Sequence, residues 1–410
     1  MYQQELIPHL FRTEFRKIVA VLARYFGVDQ LQVAEDIASE TFLLAIETWP
    51  YKGLPANPVA WLYTVAKNKA KNQLVRNKIF QDKIKTDIKG SALRSEELEI
   101  DLSEKNITDS QLLMLFAVCN PVISQEGQIG LALRILCGFG IEEIANAFLT
   151  NKETINKRLT RAKEKFREEK IKIDFPSQGE IENRLDAVLT VLYLLFSEGY
   201  YSESNDRVLR KELCEEAMRL TYLLKENEQT NLPRVNALLS LMCFQSSRFE
   251  ARFDAKGEMI LYEDQDEKLW NQELIAKGSY FLKEASVGYT ISKYHLEAGI
   301  AYWHTIKSDS KVKWENILQL YNKLLQIAYT PIAALNRTYA LSKANSKAEA
   351  IMEAEKLKLE NNHYYFTLLG ELYTGIDQSK AIENFQRALL IAKTQTDRHS
   401  IEKKIDSLVK

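Results

Sequence analysis

Glycine and proline are scarce in this 410-residue chain, which contains 15 glycines and 8 prolines. Short strands joined by tight turns need both residues often, because glycine tolerates positive φ and proline fixes turn geometry. The scarcity therefore argues against a turn-rich β architecture and favours long helices. Hydrophobic residues make up 46% of the chain. They can fill several cores, and the length predicts roughly two to four domains.

Cysteine and histidine are also few. The four cysteines lie far apart without a C-x-x-C pair, and the five histidines are scattered. This spacing argues against a disulfide framework or a metal site, and it predicts buried free thiols in a reducing cytoplasm. The sequence has no apolar run of about 18 residues and no basic-then-apolar leader. We therefore expect no membrane span, no secretory signal and no cofactor.

The chain lacks a net charge of either sign, since 55 basic and 56 acidic side chains leave a formal charge of −1. Evenly spread, such a charge would argue against a nucleic-acid partner. The charges are instead divided into blocks. Acidic residues dominate 29–50 and 95–110, whereas nine basic residues fall in each of 61–94 and 150–172. Because like charges in one block repel, this segregation indicates two contacts with a polyanion, although solvated helix faces are the alternative.

Apolar residues recur at helical spacing over 8–26, 33–48 and 58–78. Three prolines and a glycine within 50–58 predict a loop between the second and third helices. The polar stretch 80–108 predicts a linker with partial helix.

Residues 141–170 predict two short helices joined by a turn, with Thr150 or Asn151 as the N-cap of the second. The second helix has apolar residues at roughly i, i+4, i+7 and i+11, namely Ile155, Leu159, Ala162 and Phe166. Its remaining surface is basic. This combination is typical of a helix-turn-helix whose second helix enters the major groove. An ordinary helical hairpin with a solvated basic face is the alternative.

The C-terminal half contains a repeat signal. Tyr339 and Tyr373 are 34 residues apart, and the tetratricopeptide period is about 34. The segment LLGELY (368–373), followed by Ala381 and Phe385, fits the pattern of that repeat. The signal predicts stacked helix pairs with a concave surface suited to peptides or protein helices.

Dense polar clusters in this half carry the carboxylates Glu198, Glu263, Asp264 and Asp266. No histidine and no glycine-rich phosphate loop accompanies them, so we predict that the chain is not an enzyme. We expect the carboxylates to cap helices or to pair with Arg248 and Arg252.

Three segments, in this order, resemble regions two and four of a bacterial extracytoplasmic-function (ECF) sigma factor. They are AEDIASETF (34–42), NPVAWLYTVAKNKAKNQLVR (57–76) and EEIANAFLTNKETINKRLTRAKEKFR (142–167). Later segments resemble the ECF subgroup with a fused C-terminal extension of tetratricopeptide type. These are VLYLLFSEGYYSES (191–204), CEEAMRL (214–220), EDQDEKLW (263–270) and the Tyr/Ala repeat.

The resemblance implies an all-α protein with four parts. Sigma region two, a helical bundle, would occupy residues 1–80, and an acidic linker 81–109. Sigma region four, with its helix-turn-helix, would occupy 110–175, and the tetratricopeptide-like extension 176–410.

By the same resemblance, Asp36, Glu40 and Phe42 would dock on the clamp of the RNA polymerase β′ subunit. The 50–58 loop matches the pocket for a flipped base of the minus-ten element, where Tyr51 is the candidate for stacking and Asn57 for base-edge hydrogen bonding. The helix that melts and contacts the minus-ten element would carry Trp61, Lys67, Asn68, Lys71, Asn72 and Arg76. Trp61 fits a core position equally well.

Region four would contact the minus-thirty-five element through Lys152, Glu153, Thr154, Asn156, Lys157, Arg158, Arg161 and Lys163. The residues near the helix start are candidates for base edges. Arg158, Arg161 and Lys163 are candidates for phosphates, which position the helix without reading sequence.

The resemblance thus implies a sigma factor whose partners are core RNA polymerase (β′ clamp and β flap) and promoter DNA. The C-terminal extension would regulate it in cis by contacting the sigma regions. A helix-turn-helix repressor with a ligand-sensing helical domain is the alternative, and it leaves 33–76 unexplained. A tetratricopeptide adaptor with incidental basic blocks is a third hypothesis.

Overall fold

The computed structural model describes residues 2–27, 30–85, 100–148, 150–201, 207–252, 260, 262–392 and 395–409. Throughout these ranges, all regular secondary structure is helical. The prediction of an all-α fold is therefore confirmed. The scarcity of glycine and proline accounts for it, because few helix-breaking residues interrupt the amphipathic segments.

The chain divides into two compact units, Met1–Thr230 and Asn231–Lys410. We call them the N-terminal unit and the C-terminal unit. The sequence-based boundary at residue 176 lies inside the N-terminal unit, so the predicted extension contributes helices to both units. In the ranges given above, no helix combines the length and the apolar character needed to cross a membrane.

The described part of the N-terminal unit contains α1 (Tyr2–Phe26), α2 (Leu31–Lys52), α3 (Pro58–Lys85), α4 (Glu104–Val118), α5 (Gln125–Leu131), a π-helical segment (Ala132–Leu136), α6 (Ile141–Ala147), α7 (Lys152–Glu168), α8 (Gln178–Tyr201) and α9 (Arg207–Glu226). Helix α1 packs against α2, α3, α4 and the π-helical segment, and α9 packs against α4, α6 and α8. The segments assigned to the two sigma regions therefore share one body with the first helices of the extension.

Helix α1 follows the predicted periodicity. Phe15, Ile18 and Leu22 have no exposed surface. Gly27 follows the helix with a φ of 80°, and its N–H donates to Ala23 O at 2.9 Å. A glycine at this position satisfies a C-terminal carbonyl without the strain that a side chain would bring.

The predicted loop over 50–58 is shorter than expected, because α2 continues through Pro50. Trp49, in this last turn, is 3% exposed and meets Trp61 edge-to-face with ring centroids 5.4 Å apart. Burying the two indoles together offsets the backbone hydrogen bond that Pro50 cannot donate. The loop therefore contains only residues 53–57.

The predicted linker over 80–108 is helical at both ends, as α3 runs to Lys85 and α4 begins at Glu104. Ser103 caps α4 by accepting a hydrogen bond from Asn106 N–H. Residues 86–99, which carry part of the predicted acidic linker, lie outside the described residues.

The described part of the C-terminal unit contains α10 (Pro233–Ser246), α11 (Gln272–Ala285), α12 (Lys293–Trp303), α13 (Lys311–Ile327), α14 (Pro331–Ala344), α15 (Lys347–Leu357), α16 (His363–Tyr373), α17 (Gln378–Ile391) and α18 (Gln395–Val409), with short 3₁₀ turns between α10 and α11. Each helix packs against the next one in the chain. Helix α14 begins at Pro331 and α16 at His363, a spacing close to the tetratricopeptide period of about 34.

Candidate nucleic-acid interface

Helices α6 and α7 are joined by a short turn, as the sequence predicted. Asn151 is the N-cap of α7, since its side chain accepts a hydrogen bond from Thr154 N–H at 2.8 Å. The predicted apolar positions form the buried face of α7: Ile155, Leu159, Ala162 and Phe166. This packing fixes the rotation of the helix, so its basic side faces away from the core.

The eight residues predicted to contact the minus-thirty-five element divide by exposure. Five are exposed, namely Lys152, Glu153, Asn156, Lys157 and Arg161. Thr154, Arg158 and Lys163 are half-buried. Lys152 Nζ pairs with Glu142 of α6 at 2.9 Å on the surface. The exposed set lies mainly in the first half of the helix, which is the part that reaches base edges in helix-turn-helix proteins.

Lys163 has a protein partner rather than a free surface. Its Nζ donates to Glu35 of α2 at 2.5 Å and to Gln32 of α2 at 3.3 Å. Glu35 is only 4% exposed, and Arg134 approaches its other oxygen at 3.7 Å. The second half of α7 is thereby held against the start of α2.

Two of the three predicted polymerase contacts on α2 are exposed. Asp36 accepts a hydrogen bond from Gln32 at 3.0 Å, and Glu40 pairs with Lys69 of α3 at 2.7 Å. Phe42 is different, because it is 2% exposed and lies against the rings of α1. Its side chain supports α2 from inside the core and does not reach a partner in this conformation.

The predicted pocket for the flipped base has one free aromatic ring. Tyr51 is 90% exposed, so its ring is accessible to solvent. Asn57 is the N-cap of α3, as its Oδ1 accepts a hydrogen bond from Ala60 N–H at 3.0 Å. Trp61 is half-buried against Trp49. The sequence could not distinguish these structural roles from contact with DNA.

The remaining predicted minus-ten residues follow the surface of α3. Asn68, Lys71, Asn72 and Arg76 are exposed, and positions 68, 72 and 76 share one face at i, i+4 spacing. Lys67 is half-buried and lines a cleft of about 530 Å³ with residues 100–103. Helix α3 therefore presents a polar, basic surface beside the chain that leads into α4.

Sequence reasoning missed an ion-pair network that joins three distant segments. Arg12 of α1 pairs with Glu143 of α6 at 2.6 Å and also with Glu212 of α9. Arg16, one turn further along α1, pairs with Glu216 of α9. These partners are separated by more than a hundred residues and belong to no motif, so no sequence pattern could have revealed them.

The side chains offer no evident centre for metal or thiol chemistry in the described ranges. No group of three or more His, Cys, Asp or Glu side chains there is arranged to hold a metal ion. All four cysteines are buried thiols that form no disulfide bond. Burial raises the pKa of Cys243 to about 12, so this thiol is protonated at neutral pH. Asp266 caps a 3₁₀ turn by accepting from Lys268 N–H, a role that the sequence predicted.

Comparison with known families gives two matches along the chain. Residues 10–79 match Sigma-70 region 2, and residues 184–286 match a family of unknown function (DUF6596). An uncharacterized protein of Rhizobium meliloti (strain 1021) is 32% identical over 405 residues, which is 95% of this chain and 93% of that protein. No solved structure matches the chain. The first match covers α2 and most of α1 and α3, so a sigma-70 region 2 domain lies at the N-terminus.

Proposed function

We propose that this chain, which belongs to the same family as the uncharacterized Rhizobium meliloti protein, is a bacterial sigma factor of the ECF type. It binds core RNA polymerase and directs transcription initiation at a two-part promoter. The observation that carries this proposal is the sigma-70 region 2 domain over residues 10–79. We further propose that it acts in the cytoplasm, without a cofactor, and is not itself an enzyme.

Binding to polymerase is assigned to the exposed acidic side of α2. The exposure of Asp36 and Glu40 supports this assignment, and the packing of Phe42 in the core holds the helix that carries them. A rigid, negatively charged helix favours a basic surface such as we expect on the β′ clamp. Helix α7 and its neighbours would make the second contact, at the β flap.

Promoter recognition is assigned to two basic surfaces. Tyr51 and the exposed face of α3 would contact the minus-ten element, where an exposed ring can stack on a flipped base. The start of α7 would contact the minus-thirty-five element. Asn156 and Lys157 would contact base edges, and Arg161 would contact phosphates. Lys163 reaches DNA only after it leaves Glu35.

Run-off transcription with purified core polymerase tests the proposal. The wild-type protein should initiate from a cognate genomic fragment, and both Asp36→Arg and Lys157→Glu should reduce initiation at least tenfold. Asp36→Arg should lose binding to core polymerase in a pull-down, whereas Lys157→Glu should keep it. Glu47→Arg on α2 and Lys165→Glu on α7 are the matched controls. Binding to duplex DNA without polymerase, and no run-off product, would instead support the repressor hypothesis.

Regulation in cis is supported by the contacts inside the N-terminal unit. The two promoter elements are separate sites along the DNA, so a protein that contacts both at once must span the distance between them. In this structure α2 and α7 touch through Glu35 and Lys163. Arg12 additionally ties α1 to α6 and to α9, which belongs to the predicted extension. We propose that this closed arrangement must open before both elements are bound, and that the extension stabilises the closed form.

The variant Arg12→Gln tests the regulatory proposal, because it removes the charge shared by Glu143 and Glu212. Promoter-dependent transcription should rise several-fold while binding to core polymerase is unchanged or stronger. Lys17→Gln, one turn further along α1, removes only a local pair with Glu14 and is the control. Equal activity of the wild type and Arg12→Gln would rule out this contact as the regulatory element.

A further inference from the structure

The C-terminal unit contains a cleft of about 590 Å³ that the proposed sigma function does not use. Aromatic rings form one part of its wall. Tyr262, Trp314, Tyr339 and the imidazole of His304 line it, with Trp314 and Tyr339 edge-to-face at 5.5 Å and Tyr262 and His304 at 5.2 Å. A cleft of this size and composition is typical of sites for small organic molecules, which occupy about 300–1,000 Å³.

Three cations gather around one of these rings. The Arg248 guanidinium carbon lies 5.3 Å from the Tyr262 ring centroid, and the ammonium groups of Lys313 and Lys307 lie 4.9 Å and 5.9 Å from it. Within the described residues, none of the three forms an ion pair with a carboxylate. Lys313 donates to Tyr262 Oη and Ile306 O instead. Asp309 and Glu267 partly offset the charge of Lys313, so among the described residues the excess of positive charge lies at Arg248 and Lys307.

The carboxylates that line the same cleft are already engaged. Glu371 pairs with Lys404. Glu263 accepts a hydrogen bond from Tyr339 Oη at 3.1 Å and lies 3.6 Å from Lys343 Nζ. The charge balance at the cleft thus remains positive on the side of Arg248.

Two buried polar atoms at this side also lack partners among the described residues. They are Arg248 Nε and His304 Nδ1, and both residues line the cleft. A buried donor or acceptor without a hydrogen bond costs about 1–3 kcal/mol. Burial lowers the pKa of His304 to about 3, so its imidazole is neutral at pH 7 and can donate or accept one hydrogen bond.

We propose that this cleft binds a small organic anion, with its carboxylate or phosphate group at Arg248 and His304 and its apolar or aromatic body among Tyr262, Trp314 and Tyr339. The anion would neutralise the cation cluster, and the rings would supply stacking and apolar contact. The site lies wholly within the C-terminal unit. It is independent of whether the N-terminal unit is a sigma factor.

Two fluorescent probes of matched shape test the proposal on the full-length protein. They are 8-anilino-1-naphthalenesulfonate and its uncharged analogue N-phenyl-1-naphthylamine. The wild type should bind the sulfonate at least tenfold more tightly than the neutral amine. Arg248→Gln should weaken sulfonate binding about tenfold, since a charge-assisted hydrogen bond is lost, and should leave the amine unaffected.

Arg387→Gln is the matched control, because Arg387 also lies over a ring, 4.5 Å from the Phe366 centroid, but lines a different cleft. Equal affinity of the wild type for the two probes, or equal losses in Arg248→Gln and Arg387→Gln, would overturn the proposal. Far-UV circular dichroism checks folding. Arg248→Lys, which keeps the charge but loses the planar fork, replaces the glutamine variant if that one unfolds, with an intermediate loss expected.

Competition distinguishes the two sources of the anionic group. Benzoate displacing the sulfonate probe at lower concentration than inorganic phosphate would assign a carboxylate ligand, and the reverse order a phosphate. Failure of both to displace the probe would contradict the proposed anion site.

Discussion

Two glycines of the C-terminal unit lie where a phenylalanine ring of a neighbouring helix occupies the place of a side chain. A Cβ added at Gly370 of α16 would lie 2.7 Å from the Phe385 ring of α17, and one added at Gly278 of α11 would lie 2.7 Å from the Phe244 ring of α10. Both rings are almost completely buried, at 2% and 0% exposure. They have little room to move, so these helix pairs depend on the absence of a single methyl group.

Gly370→Ala should therefore destabilise the C-terminal unit by about 1–3 kcal/mol, the usual cost of overpacking a core. Thermal and urea unfolding followed by circular dichroism would measure it. Gly179→Ala in α8 is the control, since an added Cβ there meets nothing within 4 Å. That variant should be neutral or slightly stabilising because alanine favours helix. A neutral Gly370→Ala would show that the α16–α17 contact relaxes easily.

His304 makes stability depend on pH. Its pKa is about 3 in the folded chain and about 6.5 when unfolded, so the unfolded state binds more protons between these values. Stability from the neutral imidazole is complete above pH 6.5 and is lost as the pH falls towards 3. Between pH 6.5 and 5 the loss should reach about 2 kcal/mol. His304→Gln should show a correspondingly shallower pH dependence in chemical denaturation, and identical slopes would contradict this account.

Residues with one clear physical role were predictable, whereas those with two were not. The glycine after α1 and the buried positions of α7 follow directly from periodicity and backbone freedom. Phe42 and Asn57 match a functional motif, yet the first packs in the core and the second caps α3. Only the positions of the neighbouring helices show which of the two roles such a residue has. A single sequence does not give those positions.

At the scale of elements, α7 is the helix whose start matters most for the proposed promoter contact. Its first turn presents Lys152, Glu153 and Asn156, and the Asn151 side chain accepts a hydrogen bond from one N–H group of this turn, that of Thr154. Thr150, the other cap candidate in the sequence, donates its backbone N–H to Ala145 O at 2.9 Å. The choice between neighbouring caps depends on this turn geometry, which the sequence left open.

Asn151→Ala should lower stability by about 1 kcal/mol, because it removes the capping acceptor. Hydrogen exchange of the α7 backbone amides should accelerate most in the first turn. Thr150→Ala is the matched control, and its α7 exchange should resemble the wild type. The reverse result, with the larger effect at Thr150, would mean that the helix begins one residue earlier in solution.

The ends of the helices were less predictable from the sequence than the helices themselves. Helix α2 runs further than expected because the Trp49–Trp61 contact outweighs Pro50, and this contact joins two different helices. The ion pairs of Arg12 and Arg16 likewise join residues far apart in the chain. Long-range contacts of this kind follow from the fold and leave no local pattern.

At the scale of the whole molecule, the boundary between the two compact units differs from the domain boundary that the sequence predicted. The first compact unit ends at Thr230. Helix α8 within it buries Leu185, Leu189 and Leu192 completely, and Arg184 donates to Phe116 O of α4 at 2.6 Å. Resemblance alone placed the start of the extension at residue 176. Helices α8 and α9, which the resemblance assigned to the extension, therefore pack within the N-terminal unit.

A chain that ends at Thr230 should fold cooperatively, and one that ends at residue 175 should be less stable by several kcal/mol. The shorter chain loses the apolar faces of α8 and α9 and leaves Arg16, whose side chain is 8% exposed in the full chain, without Glu216. Urea unfolding and limited proteolysis of both truncations would measure the difference. Equal stability would indicate that α8 and α9 only lie on the surface of a unit complete without them.

The pair between Lys163 and Glu35 affects how DNA binding responds to ionic strength. A lysine that neutralises a phosphate releases condensed counterions, so affinity falls with salt by a slope of about 0.9 per phosphate. Salt also weakens the pair that holds Lys163 on α2, although less than it would an exposed pair because Glu35 is buried, and this change favours release of the lysine towards DNA. The two effects oppose each other. Lys163 should therefore contribute less than about 0.9 to the salt slope, and counting basic residues on α7 overestimates how strongly ions displace this protein from its promoter.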